Sequence, residues 1–303
     1  MAGSLARHAR MDGTHLQRRL AWVLVLGVLL LTACGSGATT TARSHPAGHT
    51  SKASPGSVGT STFSKHPIIA VDALDDYIAR MPLDVKLGQL FLAQLDGADF
   101  STTHAIMVGQ MHAGGILLYA DNFVTALQAK ALIAAAQANA QIPLLTTIDE
   151  EGGWVDRLQG IDGFRPSAQM MGATGDPSYA RNQGVKAAHD MSVLGLNFNL
   201  APDVDVGLVP GQDLRTRVFG SDPQTVTTMA GAYLQGLQSS GQVVGTLKHF
   251  PGLGSVLDDA HLDLPTVHRS LAELQQVELV PYHSLIASGQ VQAVMSTDVL
   301  VPA

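Results

Sequence analysis

Short apolar runs that end in polar or charged residues, each leading into a helix-length stretch, recur from Ile68 onward and constrain this chain most. The runs are Phe91 to Leu95, Gly114 to Tyr119, Pro143 to Ile148, Phe198 to Asp203, Val243 to Leu247 and Gln292 to Ser296. Between them the pattern predicts helices over Thr103 to Met111, Val124 to Ala140, Tyr179 to Leu194, Pro223 to about Leu237 and Ser270 to Ser288. A first helix, Asp72 to Met81, precedes them, and Pro82-Leu83-Asp84 restarts another through Leu90. Strand-then-helix alternation implies an α/β fold with a parallel sheet and right-handed crossovers. The third run carries no charged residue, as expected of a strand covered on both faces. Side chains at strand C-termini, and in the loops after them, are where such folds keep their chemistry.

Everything before Ile68 reads differently. Arg7, Arg10, Arg18 and Arg19 form a positive start, and Leu20 to Leu31 is an apolar run. That run is shorter than the ~20 residues a membrane span needs, so residues 1–33 are expected to be a signal peptide. It closes on Leu31-Thr32-Ala33-Cys34-Gly35, which resembles a bacterial lipobox. The chain's only cysteine stands where lipidation would occur, and acyl burial contributes ~0.8 kcal/mol per CH₂. The expectation is an exported protein held on the outer side of the cell membrane through Cys34. Residues 34–67 are rich in Ser, Thr, Gly and Ala and read as a flexible tether. Its His45, His49 and His66 are irregularly spaced, which suits solvated histidines better than metal ligands. One cysteine excludes an internal disulfide. The net charge of −7 and the lack of a basic run in the body argue against nucleic acid as a partner.

Four segments carry candidate chemistry. Asp149-Glu150-Glu151-Gly152-Gly153-Trp154-Val155-Asp156-Arg157 follows the third run directly. Asn199-Leu200-Ala201-Pro202-Asp203-Val204-Asp205 closes the fourth, and Arg215-Thr216-Arg217-Val218-Phe219 precedes Gly220-Ser221-Asp222-Pro223. Asp222 before Pro223 is an N-cap and first-turn proline. The fourth segment, Lys248-His249-Phe250-Pro251-Gly252-Leu253-Gly254, is expected to turn out of the strand at Lys248. It leads to Asp259, Ala260 and His261, then Leu264-Pro265. Plain readings exist for each: a helix-capping Asp149, solvated charges on a glycine-rich loop. Against them, a strand-end carboxylate can accept two hydroxyl protons of a sugar, and an aspartate beside an imidazole orients it for proton transfer.

Together these segments resemble glycoside hydrolase family 3, in particular its bacterial β-N-acetylglucosaminidases. The matching positions are Asp-x-Glu-Gly-Gly-x-Val-x-Arg at Asp149 to Arg157, Lys-His-Phe-Pro-Gly-x-Gly at Lys248 to Gly254, and Asp-x-His at Asp259 to His261. Two departures are Leu253, where the family usually has His, and Trp154, where Arg is common. The resemblance implies a TIM-type (β/α) barrel over residues 68–303, incomplete at about six of the eight strand-helix units. It implies hydrolysis of terminal β-linked N-acetylglucosamine, a carbohydrate substrate, and no metal or organic cofactor. It implies that Asp149, Arg157, Arg217, Lys248 and His249 hold the sugar, and that His261 with Asp259 shuttles the proton. Glu151 is read as structural and Asp205 as orienting the loop. The family's nucleophile belongs to a later segment and no residue here inherits it; Asp298 is the nearest stand-in. The alternative is a carbohydrate-binding lipoprotein without turnover, or an inactive glycosidase.

Overall fold

The computed structural model describes residues 71–210 and 214–302. The expected signal peptide, Cys34, and the tether with its three histidines lie outside the described residues. Two helices open the chain, α1 (Val71–Arg80) and α2 (Leu83–Gly88). Then come β1 (Leu92–Gln94), α3 (Thr102–Ala105) running into a π-turn at Ile106–Gln110, and β2 (Gly115–Leu118). A 3₁₀ turn at Ala120–Asn122 and α4 (Ala126–Asn139) lead to β3 (Leu145–Ile148). A small antiparallel hairpin follows, β4 (Glu150–Gly152) and β5 (Val155–Asp156), then α5 (Gln159–Asp162), α6 (Ala168–Thr174) and α7 (Pro177–Leu194). The last elements are β6 (Phe198–Asn199), α8 (Pro223–Leu237), β7 (Val244–Phe250), α9 (Leu271–Gln276), α10 (Val280–Ala287) and β8 (Ala293–Ser296).

Six strands form one sheet in the order β1-β2-β3-β6-β7-β8, every neighbouring pair parallel. Sequential order with helical crossovers is the pattern of a (β/α) barrel, and the sheet is an incomplete TIM-type barrel with β1 and β8 at its edges. The main core lies between sheet and helices: Ile116, Leu118, Ile148 and Leu247 from the strands meet Ile133, Met191, Leu234 and Leu237 from the helices. A smaller group, Leu117, Phe198 and Leu200, fills the inner side. Local signals set most helix starts. Asp222 accepts the amide of Thr225 at 2.7 Å with Pro223 in the first turn, as expected. Ser270 and Glu273 form a reciprocal capping box.

Two expectations are corrected. The helix expected over Ser270 to Ser288 is two helices, broken at Val277 to Leu279. Pro281 starts the second because it has no amide to continue the first, and Glu278 turns inward to meet Arg269 at 2.7 Å. The strand expected to end at Leu247 runs on to Phe250, because Phe250 still pairs with Ser296 of β8. Lys248 and His249 therefore sit inside β7 rather than on the loop.

Candidate functional site

Residues two apart on an extended chain point to the same side. That rule builds the site at the end of β3. The side chain of Asn199 on β6 holds the backbone of Glu150 at both ends, accepting its amide at 3.0 Å and donating to its carbonyl at 2.9 Å. With Glu150 clamped, Asp149 and Glu151 both face β7, where Lys248 stands. Lys248 is 1% exposed, and its Nζ lies 2.6 Å from Asp149 Oδ1 and 2.5 Å from Glu151 Oε1. Burial works against the ammonium, yet Asp149 and Glu151 hold its pKa above the ordinary lysine value. Burial likewise penalises the Glu151 carboxylate, but Lys248 and Arg217 outweigh it and bring its pKa down to about 2.

Glu150 points the other way. One of its oxygens accepts the amides of Arg157 and Leu158 at 2.9 and 3.0 Å, and the other meets Arg165 Nε at 3.0 Å. Burial pushes its pKa up to about 9 even so. The Gly152-Gly153 turn above it needs its glycines, with φ of 85° and 62°, a region costly to other residues. This hairpin delivers Arg157 to the site, where its guanidinium lies 5.6 Å from the centre of the Tyr119 ring. Burial, and then the charge of Asp149, raise the Tyr119 hydroxyl above its ordinary pKa.

Arg217 continues the pattern. Its Nε and one terminal nitrogen grip Glu151 at 2.8 and 2.9 Å, and the same terminal nitrogen lies 3.1 Å from His249 Nε2. His249 Nδ1 lies 2.7 Å from Asp205 Oδ2. A donor facing Nε2 and a carboxylate facing Nδ1 fit one tautomer, neutral and protonated at Nδ1. Burial drives the imidazole pKa down to about 4, in agreement. Asp149, Lys248, Glu151, Arg217, His249 and Asp205 thus form one continuous chain of alternating charge and hydrogen bonds. Asp203 lies beside its end, its carboxyl pKa pushed well above the ordinary value by burial and by the charge of Asp205. Asp203, Asp205 and His249 offer atoms within 4.8 Å of one another, the spacing of a metal site. Arg217 stands 4.0 Å from Asp203 and already faces His249, so a cation there would have to displace a guanidinium.

The loop after β7 is tied to this lattice from below. Asp205 Oδ1 accepts the Leu253 amide at 2.7 Å. The Leu253 side chain is buried with Leu214, Val256, Val267 and Leu274. Leu253 therefore anchors the loop through apolar contact. Gly254 lies so close to the neighbouring segment that a Cβ there would sit 1.7 Å from the Val206 carbonyl oxygen. Beyond this anchor the loop is open. Asp259 Oδ1 accepts the His261 amide at 2.9 Å and meets His261 Nδ1 at 2.8 Å, on an imidazole whose side chain is 74% exposed. The His261 amide holds the Asp259 carboxyl below its ordinary pKa, and Arg217 adds a smaller pull in the same direction.

The profile of the glycosyl hydrolase family 3 N terminal domain matches residues 82–303. The chain belongs to glycoside hydrolase family 3. It is 36% identical over 283 residues to a protein named beta-hexosaminidase LpqI from Mycobacterium tuberculosis, covering 92% of this chain and 69% of that one. It superposes on a family 3 beta-N-acetylglucosaminidase from a Paenibacillus species with a TM-score of 0.70 at 34% identity, covering 74% of this chain and 43% of the other. It also superposes on NagZ from Neisseria gonorrhoeae in complex with N-trifluoroacetyl-D-glucosamine, with a TM-score of 0.65 at 29% identity, covering 70% and 64%. The chain thus spans about two thirds of the length of the curated relative, 69%.

Of the residues that the family motifs singled out, the structure gathers Asp149, Lys248, Arg217 and His249 into one lattice and sets Arg157 beside it. Asp259 and His261 pair with each other as expected, on the outer loop. Asp298 is exposed, just past β8. Both ring nitrogens of His249 already have partners, so a sugar hydroxyl reaching it would displace one of them. Glu151 and Asp205 carry more of the site than their sequence reading implied. Glu151 joins Lys248 to Arg217, and Asp205 orients His249. The available signal was the period-two spacing of Asp149 and Glu151, and of Asp203 and Asp205, at the ends of two strands that neighbour each other in the sheet.

Proposed function

We propose that this chain binds a terminal β-linked N-acetylglucosamine over the C-terminal ends of its strands and hydrolyses the glycosidic bond. The observation that carries the reading is the Asp149–Lys248–Glu151–Arg217 lattice, a dense set of fixed donors and acceptors for vicinal hydroxyls. Relatives named beta-hexosaminidase and beta-N-acetylglucosaminidase, one of them holding an N-acylated glucosamine derivative, support the choice of sugar. Asp149 accepts hydroxyl protons while Lys248 and Arg157 donate to sugar oxygens. Asp259 holds Nδ1 of His261, and the other ring nitrogen gives its proton to the departing oxygen as the bond to the anomeric carbon breaks. Water then bonds to the anomeric carbon and passes its proton back to the same ring nitrogen. Turnover of an aryl β-N-acetylglucosaminide is expected, and His261→Ala should lower kcat by about 10²–10⁴-fold. Binding of N-acetylglucosamine with no turnover by the unaltered chain would leave only the sugar-holding role. The exposure of His261, against the burial of Lys248 and Arg217, is the observation behind that second reading.

We further propose that Cys34 is the lipidated start of the mature chain and holds the catalytic domain on the outer membrane surface. Among the described residues no helix is long and apolar enough to cross a membrane. The support is sequence alone: a lipobox-like motif around the only cysteine. The expressed protein should partition into the detergent phase of a cloud-point extraction, and Cys34→Ala should move it to the aqueous phase. A chain that stays aqueous without the substitution would end the anchoring proposal.

A further inference from the structure

Glu278 is a buried carboxyl that the proton-transfer scheme leaves unused. It is shut off from water at the break between α9 and α10. One oxygen lies 2.7 Å from Arg269 Nε. The other, Oε2, is buried with no hydrogen-bond partner among the described residues. Taking a carboxylate out of water on those terms costs about as much as the pairing returns, so the pair is a poor stabiliser of the fold. Its place in the chain points to a different role. Arg269 ends the loop after β7, immediately before Ser270 caps α9. The start of the same loop rests on Glu278 as well. A Cβ at Gly252 would sit 2.9 Å from Glu278 Cβ and 3.0 Å from its Cγ, so loop backbone and side chain are in contact. One side chain therefore meets both ends of the segment that carries Asp259 and His261.

We propose that Glu278 is a positioning residue for His261, pinning the two ends of its loop to one point. The role rests on the reading of His261 as proton donor given above. Each end also has contacts of its own. The Leu253 amide donates to Asp205 at 2.7 Å, and the Val267 amide donates to the Leu300 carbonyl at 2.9 Å. Leu253, Val256 and Val267 share an apolar cluster. Apolar contact draws the ends together but is non-directional. The Glu278–Arg269 pair adds direction, because a carboxylate facing a guanidinium fixes an angle as well as a distance. Between Val256 and Pro265, both buried, the chain is exposed or half-buried throughout. The place where His261 stands over the sugar therefore depends on how the two ends are held. Glu278 makes and breaks no bond; it acts through the shape of the loop.

The test compares kcat/KM for two β-N-acetylglucosaminides, phenyl and 2,4-dinitrophenyl. Phenoxide needs a proton as it departs, whereas dinitrophenoxide leaves without one, so only the first depends on a well-placed acid. Glu278→Ala removes the charge and the packing against Gly252. Arg269→Ala breaks the pair from its more exposed side. Glu278→Gln keeps the packing and an acceptor for Arg269. With the phenyl glycoside, Glu278→Ala and Arg269→Ala should each lose about tenfold, and Glu278→Gln should lose less. With the dinitrophenyl glycoside all of them should stay within about twofold of the unaltered chain. Equal losses on both substrates, or none on either, overturn the positioning role. Amide hydrogen exchange on the same variants reads the pinning without turnover: Leu253 and Val267 should exchange faster in Glu278→Ala, and α8 should not. Unchanged exchange overturns the pinning whatever the kinetics. Faster exchange in the variant, with no turnover of either glycoside by the unaltered chain, overturns the proton-donor reading and the role of Glu278 in it, and leaves the pinned loop standing.

Discussion

Replacing Lys248 by methionine is expected to destabilise the protein by about 3–5 kcal/mol, the cost of removing one partner from a buried ion pair. Methionine keeps the length and flexibility of the stem, so cavity formation adds little to this figure. What goes is the ammonium between Asp149 and Glu151. Asp149 is partly reached by water, whereas Glu151 is left buried with Arg217 alone. The pH dependence should change with it. The pKa of Glu151 is depressed in the fold, to about 2, so its ionic contribution is full above the ordinary carboxylate pKa and is lost as pH falls from there through about 2. In the variant, less is left to lose on the acid side. Urea unfolding at about pH 7 and about pH 3 would show both effects. A loss below about 1 kcal/mol at neutral pH would place Lys248 among surface-grade ion pairs and undo the account of the lattice. Affinity for N-acetylglucosamine should vanish alongside.

Gly254→Ala should have the next largest effect, and on a different quantity. A methyl group 1.7 Å from the Val206 carbonyl oxygen cannot be accommodated without moving backbone. The amides of Leu208 and Val209 also donate to the Gly254 carbonyl, at 2.9 and 3.1 Å, so both segments must shift. Overpacking of this kind costs about 1–3 kcal/mol. The greater loss is expected in catalysis, because the displaced segment is the root of the loop that ends in Asp259 and His261. A misplacement of about 1 Å can cost about 10²-fold in rate. Affinity for N-acetylglucosamine should change far less, since Lys248 and Asp149 stand on the other side of the anchor. Calorimetry and steady-state kinetics on an aryl glycoside separate the two quantities. Equal losses in affinity and rate would show that the loop and the binding lattice move as one.

How much of this was legible in the sequence depends on the range of each interaction. The boundaries of α8 could be read from Asp222-Pro223 because a cap involves neighbours in the chain. The core strands could be read because burial on both faces demands apolar residues whatever they pair with. The hairpin at Glu150 to Asp156 was not foreseen. Its residues are polar and glycine-rich, and it is held by Asn199 and Arg165, which the sequence does not place beside it. The break at Val277 was hidden for a similar reason: Glu278 looks like a surface helix residue until Arg269 and the loop at Gly252 are seen against it. In the candidate site, strand-end position singled out Asp149 and Lys248. The part played by Glu151 depends on Arg217 from a distant segment, and no local pattern reveals that distance.

The alternating lattice has a consequence for the kind of guest it can receive. Counted over the site, the carboxylates of Asp149, Glu151 and Asp205 are matched in number by the cations of Lys248, Arg217 and Arg157, so it holds many strong dipoles under almost no net charge. A phosphorylated or strongly cationic molecule would find nothing to neutralise it there, whereas an uncharged, hydroxyl-rich one could be read group by group.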